Sequence, residues 1–157
     1  MNKLIAGIDP STKEIGIAIL DVGQEIEVKN RIRLTAPFKV DMFTRIRQLI
    51  RAFYNGLDLF EGVELVIIEK PASKLNFSTL YALSVLGGGL YAVLVTQLPD
   101  VEIRFVAPTT AKKCLAGSGR ASKEEIMAAV TERFGIVEKN DNIADAISVA
   151  STGIERE

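Results

Sequence analysis

Short apolar runs alternate with longer stretches of helical spacing along this chain. Leu4-Ile5-Ala6-Gly7-Ile8 is apolar throughout and stops at Asp9-Pro10-Ser11-Thr12-Lys13, so residues 4–9 are expected to form a strand closed by a turn. Ile15, Ile17 and Ile19 alternate with Gly16, Ala18 and Leu20, which predicts a second strand over 14–21. Val22-Gly23-Gln24 turns the chain into a third, 25–34, with Ile26, Val28 and Ile32 expected on one face. Met42, Ile46, Leu49, Ile50 and Phe53 recur at helical spacing and predict a helix over 41–54, stopped by Gly56. Leu65-Val66-Ile67-Ile68 predicts a fourth strand, 64–69, ended by Pro71.

The longest apolar stretch, Leu80 to Leu98, reads as a buried helix of about residues 78–97 rather than a membrane span, because Ser84, Gly87-Gly88-Gly89 and Thr96-Gln97 interrupt it. Glycine inside a helix costs about 1 kcal/mol relative to alanine. Three together mean either a close helix contact, such as a second copy of the chain, or a break. A fifth strand is expected over 102–106, then a short helix from Pro108 through Leu115. Ser122 and Glu125 form a capping-box pattern opening a helix that ends near Gly135. Asp141 or Asn142 is expected to cap a last helix reaching about Thr152. The order β-β-β-α-β-α-β followed by helices predicts an α/β fold. Its mixed five-stranded sheet has three antiparallel strands plus parallel ones and helices on both faces. Residues 1–157 are expected to form one domain.

Composition narrows the chemistry. The chain has no histidine and one cysteine, Cys114. That argues against a disulfide framework, a soft metal site and an imidazole-activated thiol, and makes a cytoplasmic setting the expectation. The N-terminus runs directly into a strand, so no signal peptide is expected. The net charge of −1 argues weakly against a nucleic-acid partner. Between Ile103 and Lys123, however, five cations (Arg104, Lys112, Lys113, Arg120 and Lys123) occur without an acid. This is either a solvated face or a strip that tracks phosphates.

Three carboxylates stand out. Asp9 and Glu69 each end an apolar run, and Asp145 lies in the late segment Asp141-Asn142-Ile143-Ala144-Asp145. A charge at a buried strand end must be compensated, and ligand sites of open α/β sheets lie at the carboxyl ends of strands. Acids brought together there need a shared proton or cation. An all-oxygen donor set suits Mg²⁺, with Mn²⁺ as a substitute. Two such ions about 3.5–4 Å apart make a phosphodiester-cleaving centre.

The element order, together with Gly7-Ile8-Asp9-Pro10-Ser11, Ile67-Ile68-Glu69 and Ala144-Asp145-Ala146, resembles the ribonuclease-H-like superfamily. Ala107 to Lys113, Gly117 to Lys123 and the final Asp145 to Ala150 resemble, more narrowly, the RuvC family of Holliday-junction resolvases. The compact chain looks most like its phage-encoded members. The resemblance covers nearly the whole sequence. It implies an Mg²⁺-dependent endonuclease, a homodimer, that resolves four-way and other branched DNA by paired nicks. It further implies Asp9, Glu69 and Asp145 as metal-binding catalytic acids, and Lys112 and Lys123 near the scissile phosphate. Ser11, Thr12, Lys13, Lys70, Lys74, Lys113 and Arg120 join those two lysines as candidate DNA contacts. No nucleotide cofactor and no membrane partner is implied.

Two departures matter. Where the family has a fourth acid, three positions before the last, this chain has Asn142; Asp141 lies one position earlier. Both are candidate ligands, with helix capping the alternative for Asp141. Where an aromatic wedge follows the strand acid in relatives with sequence preference, this chain has Ala72, so little sequence specificity is expected. Phe77 could replace the wedge, but ordinary burial preference places it in the core. Rival readings are an actin-like kinase or ATPase, for which 157 residues supply only half the needed fold, a nuclease of the same fold acting on RNA–DNA hybrid, and a non-catalytic junction binder.

Overall fold

The computed structural model describes residues 2–37 and 39–154. Five strands, β1 (Lys3–Pro10), β2 (Glu14–Val22), β3 (Ile26–Thr35), β4 (Val63–Glu69) and β5 (Glu102–Val106), form one mixed sheet in the order β3-β2-β1-β4-β5. The first three are antiparallel neighbours, and β4 and β5 run parallel to β1. Five helices cover the sheet: α1 (Met42–Asn55), α2 (Phe77–Gln97), α3 (Pro108–Ala116), α4 (Lys123–Phe134) and α5 (Asp141–Ser151). A short 3-10 turn, Leu57–Phe60, which periodicity alone did not signal, seats Phe60 edge-on against Phe53.

The period-2 alternation of the strands sorts side chains between two cores. Ala6 and Ile8, Ile15, Ile17 and Ile19, and Val66 and Ile68 meet the buried rows of α1 and α2. Ile5, Ala18, Leu20, Leu65 and Ile67 meet α3, α4 and α5. One expected face is corrected. Ile19 pairs with Asn30 but Leu20 pairs with Val28, so Lys29 is bulged. The extra residue reverses the alternation. Val28 therefore packs with the α5 core, while Ile32 and Leu34 pack with the α1–α2 core.

The long helix is also corrected. It runs unbroken through Gly87-Gly88-Gly89, and it buries only one row, Ala82, Leu86, Leu90 and Leu94. By length and composition it could cross a membrane, but that row is part of the sheet core. Leu80, Tyr81, Val85, Tyr91 and Val95 are exposed. The three glycines divide. A methyl on Gly89 would lie 2.3 Å from Ile50 Cδ1, so Gly89 serves the α1 contact. Methyls on Gly87 and Gly88 would meet nothing within 4 Å.

Helix starts follow side-chain caps. Asp41 caps α1 by accepting from Phe43 N and Thr44 N, and Ser122 and Glu125 form the expected capping box. The last helix is capped by Asn140, not by Asp141 or Asn142. Asn140 has the extended backbone that a cap requires, and its Oδ1 accepts from Ile143 N at 2.9 Å. Asp141 and Asn142 fall in the first turn, leaving their side chains free for other partners.

Candidate active site

Strand register brings two of the acids side by side. Ile8 of β1 pairs with Ile68 of β4, so Asp9 and Glu69 follow at neighbouring positions of parallel strands. Both belong to the residue rows (5, 7, 9 and 65, 67, 69) that face α5. Asp9 is opposite Gly16 of β2.

The third acid arrives because α5 lies directly on the sheet. A methyl on Gly7 would be 2.1 Å from the Ala146 carbonyl oxygen, and one on Gly16 would be 2.2 Å from that of Asn142. Two glycines on adjacent strands thus let the helix backbone touch the sheet, with Asn142 over the residue paired with Asp9. Asp145, one turn later, shares a helix face with Asn142.

The electrostatics are those of acids crowded together. Asp9 is 7% exposed. Desolvation first, then a hydrogen bond and charge repulsion from Glu69, then Asp145 and Glu14, hold its carboxyl well above the usual range. Burial beside a second carboxylate thus disfavours the anionic form of Asp9. Burial also raises Glu69 and Asp145; Lys112 of α3 opposes the rise in both. Among the described residues, no three such side chains enclose an ion as they stand. The donor set nevertheless fits a hard cation. Its members are carboxylates, they are mutually repulsive, and a cation between them would relieve that repulsion.

The other candidates separate. Lys112 is the cation that acts on both Glu69 and Asp145, and Lys123 acts more weakly on Asp145. Lys123 Nζ is ion-paired with Asp141 Oδ2, and that contact raises Lys123 further above its ordinary value. Asp141 thus already has a partner. Arg104, on β5, lies 2.6 Å from Glu102, so the five cations do not form one uncommitted strip. Ser11 is used inside the β1–β2 turn, where its hydroxyl donates to the Glu14 carbonyl at 2.8 Å and accepts from Glu14 N at 3.1 Å. Lys13, Lys70, Lys74, Lys113 and Arg120 are exposed, and Thr12 is half-buried.

Phe77 is not a core residue. It is 80% exposed, because it sits five residues before Ala82 and so about 140° around the helix from the buried row. Its ring stacks on Tyr81 at 6.0 Å, and Tyr81 meets Phe43 edge-on. Glu14 is the site neighbour that sequence reading missed. Its parity with Gly16 on β2 was the available signal, since it puts Glu14 on the α5 face.

Comparison with known proteins agrees with this geometry. The family model described as crossover junction endodeoxyribonuclease RuvC matches residues 5–153. The protein of that name from Chlamydia muridarum is 30% identical over 96% of this chain and 90% of its own. The one from Prochlorococcus marinus is 25% identical over 96% and 97%. Among solved structures, Thermus thermophilus RuvC in complex with Holliday junction substrate superposes with a TM-score of 0.80 at 22% identity, over 96% of this chain and 92% of that one. The yeast mitochondrial Holliday junction resolvase gives 0.67 at 13% identity, over 94% and 75%. The expected likeness to phage-encoded members is not supported. These sequence relatives are bacterial and are matched over nearly their full length, so compactness does not set this chain apart from them.

Proposed function

The chain belongs to the crossover junction endodeoxyribonuclease RuvC family, and from that premise we propose how this particular chain resolves a Holliday junction. The observation that carries the reading is the meeting of Asp9, Glu69 and Asp145 on one face at the end of β1 and β4. Divalent-metal dependence comes with the family; Mg²⁺, in two ions per site, is our choice on the hard-oxygen donor set. Such ions would supply an activated water and stabilise the departing 3′-oxygen of the cleaved phosphodiester.

The chain's own residues do the rest. Asp9, Glu69 and Asp145 would hold the ions, with Asp9 the most buried of the three. Lys112 limits the excess negative charge and offers a cation to the scissile phosphate. Lys123 approaches from the first turn of α4, and Lys13, Lys70, Lys74, Lys113 and Arg120 take flanking phosphates.

Two features fit a branched, two-fold substrate. The exposed apolar side of α2 (Tyr81, Val85, Gly88, Tyr91) would be covered by the same face of a second copy, giving an isologous dimer with two sites. Replacing Gly88 with tryptophan should leave the fold intact, because that position opens outward. It should yield a monomer in sedimentation and convert paired nicks to single ones; a dimer with paired nicks would remove this face from the interface. The Phe77 ring, backed by Tyr81 and Phe43, would stack on a base at the crossover in place of the aromatic absent at Ala72. Phe77→Ala is expected to lower the preference for junction over duplex by roughly tenfold, the scale of one base–aromatic stack, with no change in melting temperature. An unchanged preference would assign the ring elsewhere.

The deciding experiment uses a labelled immobile four-way junction with Mg²⁺ or EDTA, beside duplex, fork and RNA–DNA hybrid. Paired, Mg²⁺-dependent nicks near the crossover are expected. Comparable fork cleavage would broaden the substrate to branched DNA in general, and cleavage of the hybrid alone would overturn the assignment.

A further inference from the structure

A fourth carboxylate, Glu14, lies beside the acids and has no part in the mechanism above. It projects from β2 toward α5, and its side chain is 16% exposed. Its Oε1 accepts from the side-chain amides of Asn140, at 3.3 Å, and of Asn142. Its Oε2 lies 3.4 Å from Arg33 Nε. The Asn140 amide is oriented independently, because its Oδ1 is used in capping α5. Among the described residues, the Asn142 side chain has no such second tie. By taking the Asn142 amide nitrogen, the Glu14 carboxyl fixes which end of that amide faces β2 and leaves its carbonyl oxygen for another partner. Asn142 shares its helix face with Asp145, and its backbone rests on Gly16, the partner of Asp9.

We propose that Glu14 is a positioning residue that holds the Asn142 amide nitrogen so that Oδ1 serves as a neutral oxygen ligand to the second divalent cation. The inference rests on the two-ion reading of the site. It also accounts for the departure at 142. An aspartate there would set a second carboxylate directly against Glu14, and like charges at contact repel. Asparagine keeps an oxygen for the cation while giving Glu14 a donor. Asp141, engaged by Lys123, is not needed as a ligand.

The test is Mn²⁺ titration of the DNA-free protein, reading the free ion by electron paramagnetic resonance. The wild-type protein should bind two ions of unequal affinity. Glu14→Ala should weaken the weaker ion by about 10-fold or more, the usual effect of removing a residue that orients a ligand, and leave the tighter ion unchanged. Asn142→Ala should do the same, and the double variant should be no worse than either single one. Glu14→Gln, which keeps an acceptor oxygen, should bind both ions like the wild type. An unchanged weaker ion in Glu14→Ala, or additive losses, would overturn the proposal. So would equal weakening of both ions with a fall in melting temperature, since Glu14 would then only anchor α5. Wild-type protein that takes up no Mn²⁺ would sink the two-ion reading itself, and this inference with it.

Discussion

Asp9→Asn protein is expected to bind a four-way junction as tightly as the wild type or more so, and to cleave it at least about 10²–10³-fold more slowly. That is the scale for removing one group that stabilises a transition state in a water-excluded site. Asparagine has the same shape and can donate a hydrogen bond to Glu69, so the fold is kept. It cannot supply an anionic ligand, so the cation is lost. Asp9 also carries a stability signature. Its folded carboxyl, like those of Glu69 and Asp145, titrates above the ordinary range, with burial the main cause. The folded, metal-free protein therefore holds more protons than the unfolded chain above about pH 4. Stability must fall as pH rises from there through the raised values. In EDTA, melting temperature should decline from pH 5 to pH 8. Asp9→Asn should flatten the decline and melt higher than the wild type at neutral pH, because it removes the buried group whose charging opposes folding. Wild-type cleavage by folded Asp9→Asn would remove Asp9 from the centre; an Asn variant whose melting temperature falls with pH as steeply as the wild type's would contradict the electrostatic account.

Gly7→Ala is expected to be the most damaging single methyl. The new carbon would lie 2.1 Å from the Ala146 oxygen and 2.4 Å from the Ala150 nitrogen. Both are helix backbone atoms that no rotamer change can move. Overpacking typically costs 1–3 kcal/mol, occasionally more; with only backbone to yield, a loss of about 3 kcal/mol, or roughly 6–12 °C in melting temperature, is expected. Because α5 must lift, Asp145 moves with it, and cleavage should drop even at temperatures where the variant is folded. Gly87→Ala is the control. It adds a methyl in open space and should be neutral or up to about 1 kcal/mol stabilising. A Gly7→Ala protein melting within 2 °C or so of wild type would show that α5 is not held on the sheet by close backbone contact.

The sequence by itself determined the strands, the helices and the three acids. Short apolar runs and helical spacing are local signals, and a carboxylate ending such a run is conspicuous because burial penalises it. Apolar character alone did not tell how much of α2 is covered. A helix apolar on every side reads as buried whether its remaining faces meet the core or another surface, and the structure covers only the row from Ala82 to Leu94. The alternation of β3 misled because one bulged residue, Lys29, reverses parity without leaving a mark in composition. Phe77 was misplaced because phenylalanine is usually buried, whereas here it lies beyond the end of the buried row. Only the tertiary structure decided that Gly7 and Gly16, ordinary small residues in a strand pattern, are the contacts that set α5 on the sheet. Only it decided that Asn140 is the cap, which frees Asp141 for Lys123 and Asn142 for Glu14. These are pairings between positions as far as 128 residues apart. No local pattern encodes them, since they arise when strand register and helix placement are fixed together.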